Sequence, residues 1–218
     1  MIEAERVFES RQELADRLAE DVAEELRRVI AAKGKATLAV SGGATPRLFF
    51  EKLSQADLPW SRVTITLVDE RQVPEESERS NARMVREVLL QNNAATAIFS
   101  PLFKNPDAEK TAPFDIVILG MGSDGHTASF FPHGSTLAKA LDPHSGERLI
   151  ELKAPGAGEA RLTFTLPALL AAGRLSLHIE GAEKRSVLGE ALAEGPAEDM
   201  PVRAVLRAKT PVTLYWCP

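Results

Sequence analysis

Asp124 and His126 stand two residues apart within a glycine turn, and a carboxylate beside an imidazole is an arrangement suited to general base chemistry. The turn, GMGSDG at 120–125, follows an apolar run of β type (Ile116, Val117, Ile118, Leu119) and is read as leading into a helix start. Strand, glycine turn and helix amino end together make an anion cradle, so the expected substrate is a phosphorylated small molecule. The alternative is a structural histidine whose ring bonds a backbone carbonyl. Its place at a strand's carboxyl end, just after Asp124, favours catalysis. His133, His144 and His178 have no such setting and are read as surface or packing residues.

Other clusters lie at comparable positions. SGGATP at 41–46 follows a short apolar strand; its glycines let backbone N–H groups turn inward, and the hydroxyls of Ser41 and Thr45 can donate. It reads either as a phosphate loop or as a tight strand-to-helix turn with a Thr cap. It lacks the Gly-Lys-Ser/Thr ending of a nucleotide P-loop and is not a Gly-x-Ser-x-Gly elbow, so neither ATP nor a nucleophilic Ser41 is implied. Asp69, Glu70 and Arg71 end the next strand; at least one should face a cleft, and Glu70 suits a solvated charge. Arg161 and Lys184, by composition alone, are surface charges. The turn at 120–125 also satisfies G-x-G-x-x-G, but it follows earlier strands, and Pro132, His133 and Gly134 interrupt the helix a dinucleotide site needs. No cofactor is expected. No metal is expected either, since Asp124 and His126 alone are too few ligands.

The elements that must position these residues follow from periodicity. Ser10 with Glu13 is a capping box, and Leu14, Leu18, Val22, Leu26 and Val29 share one face, which predicts a helix over 11–32 ending at Gly34. Strands are predicted at 37–40, 63–68, 115–119, 149–152, 175–180 and 212–216. Further helices are predicted at 46–55, from Ser80 or Asn81 to about 91, at 166–172 and at 183–193. This alternation indicates an α/β fold, a mostly parallel, Rossmann-like sheet with helices on both faces and ligands beyond the strands' carboxyl ends.

Length and composition agree with one soluble domain over 1–218: hydrophobic residues make up 44% and charged residues 26%. A formal charge of −5 argues against nucleic acid as a partner, and no apolar run approaches the roughly 20 residues of a membrane helix. Cys217 is the sole cysteine, which with no signal-like start points to a reducing cytoplasm. A monomer or weak homodimer is expected.

Taken together, SGGATP at 41–46, DERQVP at 69–74 with Ser80 and Asn81, GMGSDGHTASFFP at 120–132, the stretch from Pro155 through RLTFTLP at 161–167, and Gly181 with Lys184 resemble the 6-phosphogluconolactonases. These segments run in family order across nearly the whole chain. The resemblance implies a fold shared with glucosamine-6-phosphate deaminases and ribose-5-phosphate isomerase-like proteins. It also implies hydrolysis of 6-phospho-D-glucono-1,5-lactone to 6-phosphogluconate, in the oxidative pentose phosphate pathway. By motif position, His126 is the implied base and Asp124 its orienting partner. Ser41, Gly42, Gly43 and Thr45, with Arg161 and Lys184, form the implied phosphate pocket; Arg71 lies beside the sugar ring or phosphate, and Asp69 lines the cleft. Gly122 is placed with the substrate-binding residues, since backbone N–H groups of the 120–125 turn, or a cleft arginine, would stabilise an oxyanion. Ala44 departs from the family pattern, where a hydroxyl residue is common. The alternatives are an amino sugar phosphate deaminase, which typically has tyrosine where Arg71 stands and Asn-Glu-Pro where Phe130, Phe131 and Pro132 stand, and a non-catalytic sugar-phosphate-binding module.

Overall fold

The computed structural model describes residues 1–155 and 157–218. An edge strand, β1 (Ile2–Val7), leads to the long helix α1 (Arg11–Lys33). The Ser10 hydroxyl accepts from the Glu13 N–H at 3.2 Å, and the Glu13 carboxylate accepts from the Glu9 N–H at 3.0 Å, so the first turn is capped from both sides. At the far end Gly34 adopts φ 77° and returns its N–H to the Ile30 carbonyl. The apolar stripe read from the sequence is the buried face of α1.

The chain continues through β2 (Ala36–Val40), α2 (Arg47–Ser54), β3 (Val63–Leu67), β4 (Asp69–Arg71), α3 (Asn81–Met84), β5 (Ile98–Ser100), β6 (Ile116–Leu119), α4 (Leu137–Leu141) and β7 (Leu149–Leu152). It closes with β8 (Arg161–Phe164), α5 (Leu166–Leu170), β9 (Arg174–Glu180), α6 (Ala182–Leu192), α7 (Val202–Leu206) and β10 (Val212–Cys217). A π-helical turn, Val85–Leu89, prolongs α3.

Seven strands form a parallel sheet in the order β1-β10-β9-β6-β2-β3-β5. Every residue of β6 is buried, as expected of a central parallel strand covered on both faces. Helix α1 packs against α2, β2 and β10, whereas α5, α6 and α7 form a separate group. From β2 the order proceeds outward through β3 to β5; from β6 it proceeds through β9 to β10. The boundary between β2 and β6 is therefore the topological switch point, where open α/β sheets bind ligands. Among the described residues, no helix is long and apolar enough to cross a membrane.

A second, antiparallel sheet in the order β4-β8-β7 stands beyond these strand ends. Val68 joins the two: its N–H donates to Val40 of the large sheet at 2.9 Å, and its carbonyl accepts from Phe164 of the small one at 3.0 Å.

The structure corrects several expectations. No helix starts directly after the 120–125 turn. Residues 126–134 form a compact loop with a bridge between Thr127 and Phe130, and α4 begins only at Leu137. The reason is local: Ala128 and His133 adopt positive φ, and the Thr127 hydroxyl holds the Gly120 carbonyl at 2.7 Å. Thr45 does not cap α2, because Pro46 occupies the N-cap position and no side-chain cap bond forms. Asp69, Glu70 and Arg71 are not the frayed end of β3 but a strand of the other sheet. Strands β1, β5 and β8 and helix α7 also lie outside the predicted elements.

Candidate active site

A cavity of about 350 Å³ opens at the carboxyl ends of β2, β6 and β9, with β4 and β8 forming one wall. That size sits at the lower end of small-molecule pockets, roughly 300–1,000 Å³. Each of Ser41, Gly42, Gly43, Thr45, Asp69, Arg71, Gly122, His126, Arg161 and Lys184 borders it.

The 41–46 loop comes first. Ser41 Oγ donates to the Ile118 carbonyl and accepts from the Gly120 N–H, both at 2.9 Å. Its hydroxyl thus ties the end of β2 to the end of β6, and its single proton is directed at protein. Gly43 has φ 93°, a left-handed conformation open to glycine. A Cβ on Gly42 would lie 2.0 Å from Asn81 Oδ1, so only glycine lets the Asn81 amide seat against the loop. That amide donates to the Asp69 carbonyl at 3.0 Å.

Pairing of β4 with β8 sets Arg71 directly opposite Arg161 and Asp69 opposite Thr163. Arg71 Nη1 donates to the Arg79 carbonyl at 2.6 Å and Arg161 Nη2 to the Ala157 carbonyl at 2.7 Å. Among the described residues, the Nε of each arginine is buried without an acceptor. Burial, and then the neighbouring Arg71, depress the Arg161 guanidinium from its ordinary value, with Asp69 and Glu159 opposing. Two adjacent cations with unused donors form a site that favours an anion. Asp69 is braced by Ser129, whose hydroxyl donates to its carboxylate at 2.5 Å. Glu70 departs from expectation: it is 1% exposed, and its carboxylate accepts from the N–H groups of Asn81 at 2.8 Å and Ala82 at 2.7 Å and from Ser80 Oγ at 3.2 Å.

On the 120–126 turn, His126 Nδ1 and Asp124 Oδ1 are 2.5 Å apart, and the same oxygen accepts from the His126 N–H at 3.1 Å. Burial alone would raise the Asp124 carboxyl. The hydrogen bond and charge of His126 outweigh it and hold the group below the usual carboxylate range. A Cβ on Gly122 would fall 2.1 Å from His126 Nδ1, so this glycine makes room for the imidazole. Its N–H donates to the His126 carbonyl at 2.8 Å, while those of Gly120 and Gly125 go to Ser41 Oγ and the Gly122 carbonyl. The turn is held from outside by the Val202 N–H, which donates to the Gly125 carbonyl at 2.9 Å. Lys184, in the first turn of α6, donates to the Met121 carbonyl; burial lowers its ammonium, against opposing effects of Glu183 and Asp124.

Sequence reasoning missed Arg79, Asn81, Phe131, His178 and Glu180 at the cavity wall. Asn81 was legible as half of a Ser-Asn cap. Ser80 does the capping, accepting from the Arg83 N–H at 3.2 Å, which leaves the Asn81 side chain to the cleft. His178 is a packed residue, edge-on to Phe49 and 3.2 Å from Glu180; His133 and His144 are exposed.

Comparison with known proteins places this arrangement in a family. The family description "Glucosamine-6-phosphate isomerases/6-phosphogluconolactonase" matches residues 9–216. A protein of Rhizobium meliloti (strain 1021) named 6-phosphogluconolactonase is 50% identical, covering 97% of each chain. One of the same name from Mesorhizobium japonicum is 47% identical, over 97% of this chain and 94% of its own. The crystal structure of a 6-phosphogluconolactonase from Shewanella baltica OS155 superposes with a TM-score of 0.94 at 38% identity, covering 100% of both chains.

Proposed function

Since the chain belongs to the glucosamine-6-phosphate isomerase/6-phosphogluconolactonase family, we propose that it hydrolyses 6-phospho-D-glucono-1,5-lactone to 6-phosphogluconate, the lactonase step of the oxidative pentose phosphate pathway. The observation that carries the reading is His126, which lies with its Nδ1 2.5 Å from Asp124 and borders the same cavity as Arg71, Arg161 and Lys184. A lactone carbonyl is already electrophilic, so an activated water suffices as nucleophile and no covalent intermediate is required. In neutral His126 the Nδ1–H keeps its proton and donates a hydrogen bond to Asp124, leaving Nε2 to take a proton from water as the new C–O bond forms. Asp124 stabilises the resulting imidazolium, as the carboxylate of a catalytic triad does. Arg71, on the wall of the same cavity, is the oxyanion partner in this reading. The bond from the carbonyl carbon to the ring oxygen then breaks, and His126 returns its proton to that oxygen. Arg161, Lys184 and the 41–46 loop hold the distant phosphate, and that binding fixes the carbonyl for attack. The protein acts in a reducing cytoplasm, as a monomer or weak homodimer, without nucleic acid.

Freshly generated lactone, followed with and without protein and corrected for its spontaneous opening, tests this function. Accelerated acid release is expected. No acceleration, or release of ammonia from glucosamine 6-phosphate, would replace the lactonase reading with a deaminase or a binding module.

A further inference from the structure

One hydrogen bond does not fix an imidazole. The bond to Asp124 sets the direction of Nδ1 but leaves the ring free to swivel about it, and both partners are partly exposed (30% and 48%) on a glycine-rich turn. Phe131 supplies the missing wall: its ring centroid lies 4.4 Å from that of His126, with 32° between the planes. The same phenyl ring lies 5.3 Å from the Arg161 guanidinium carbon, within the roughly 6 Å reach of a cation–π contact. This contact adds to the hydrogen bond from Arg161 Nη2 to Ala157, and among the described residues Nε has no acceptor.

Phe131 is itself held. Its N–H donates to the Ser129 carbonyl at 3.0 Å, its carbonyl accepts from Gly134 at 3.1 Å, and the preceding Phe130 is fully buried and bridged to Thr127. We propose that Phe131 is a positioning residue that fixes the face of the His126 imidazole and the placement of the Arg161 guanidinium, and so sets the spacing between the reacting carbonyl and the phosphate. This rests on the roles given above to His126 and Arg161. When the imidazole takes up a proton, the π-face of Phe131 also stabilises the cation formed.

The test compares Phe131→Leu, which keeps apolar bulk without a π-face, with Phe131→Tyr, which keeps the ring. Phe131→Leu should lower kcat about 10-fold and weaken 6-phosphogluconate binding, measured by calorimetry, about 5-fold; Phe131→Tyr should stay within about 2-fold of wild type on both. In an Arg161→Ala background, Phe131→Leu should weaken 6-phosphogluconate binding no further. The His126 ring resonances, followed by NMR without substrate, should shift in Phe131→Leu and not in Phe131→Tyr. Phe131→Met takes the place of Phe131→Leu if the latter does not fold. Wild-type kinetics from the leucine variant, or full additivity with Arg161→Ala, would overturn the proposal. A wild type inactive on the lactone would instead remove the function proposed above, and the NMR comparison would still decide whether Phe131 orients the ring.

Discussion

The short His126–Asp124 contact gives base and partner different sensitivities. His126→Ala removes the proposed proton acceptor and should lower kcat by about 10²–10⁴-fold while 6-phosphogluconate still binds. Arg161→Ala should chiefly raise KM, since that guanidinium is proposed to hold the end of the substrate far from the reacting bond; steady-state kinetics separate the two. Asp124 is held below the usual carboxylate range, so it remains ionised at neutral pH, and its support of His126 is lost only as pH falls through that lowered value. Lys184 titrates in the opposite sense. Burial lowers its ammonium, so its charge is full below the lowered value and is lost, as pH rises, before the ordinary lysine range of about 10.4 is reached. Affinity for 6-phosphogluconate should therefore decline earlier on the alkaline side than an ordinary lysine would allow, and Lys184→Arg should flatten the decline. Calorimetric titrations across pH provide the check.

Glu70 shows how one buried carboxylate organises an element. It caps α3 by accepting from Asn81, Ala82 and Ser80, and this holds the Asn81 amide against Gly42. Glu70→Ala leaves those donors buried without their acceptor and should cost about 3 kcal/mol, lowering Tm by roughly 10 °C in thermal unfolding. The sequence hides this role, because three charged residues in a row look solvated. The elements that were legible carry a long signal of their own: α1 repeats its apolar positions over 23 residues and is capped at both ends. Strands β4 and β5 have three residues each, too few for alternation to register, and charged residues interrupt β1. At the site, the Asp124–His126 pair was readable because one turn holds both. The juxtaposition of Arg71 with Arg161 was not, because it depends on the pairing of two strands 90 positions apart.

Across the whole molecule, the cleft draws on segments from Ser41 to Lys184 and on both sheets. Ligand binding should therefore couple to global unfolding rather than to one loop. At 100 times its Kd, 6-phosphogluconate should stabilise the chain by about 2.7 kcal/mol, seen in scanning calorimetry as a Tm several degrees higher.

The antiparallel pairing of β4 with β8 makes the arrival of Arg161 in the cleft a question of parity. A single residue inserted between Arg161 and the anchored Phe164 would turn the guanidinium to the opposite side of the sheet, and two would return it to the same side two positions beyond its partner arginine. Length variation in descendants of this chain is thus forbidden within that strand.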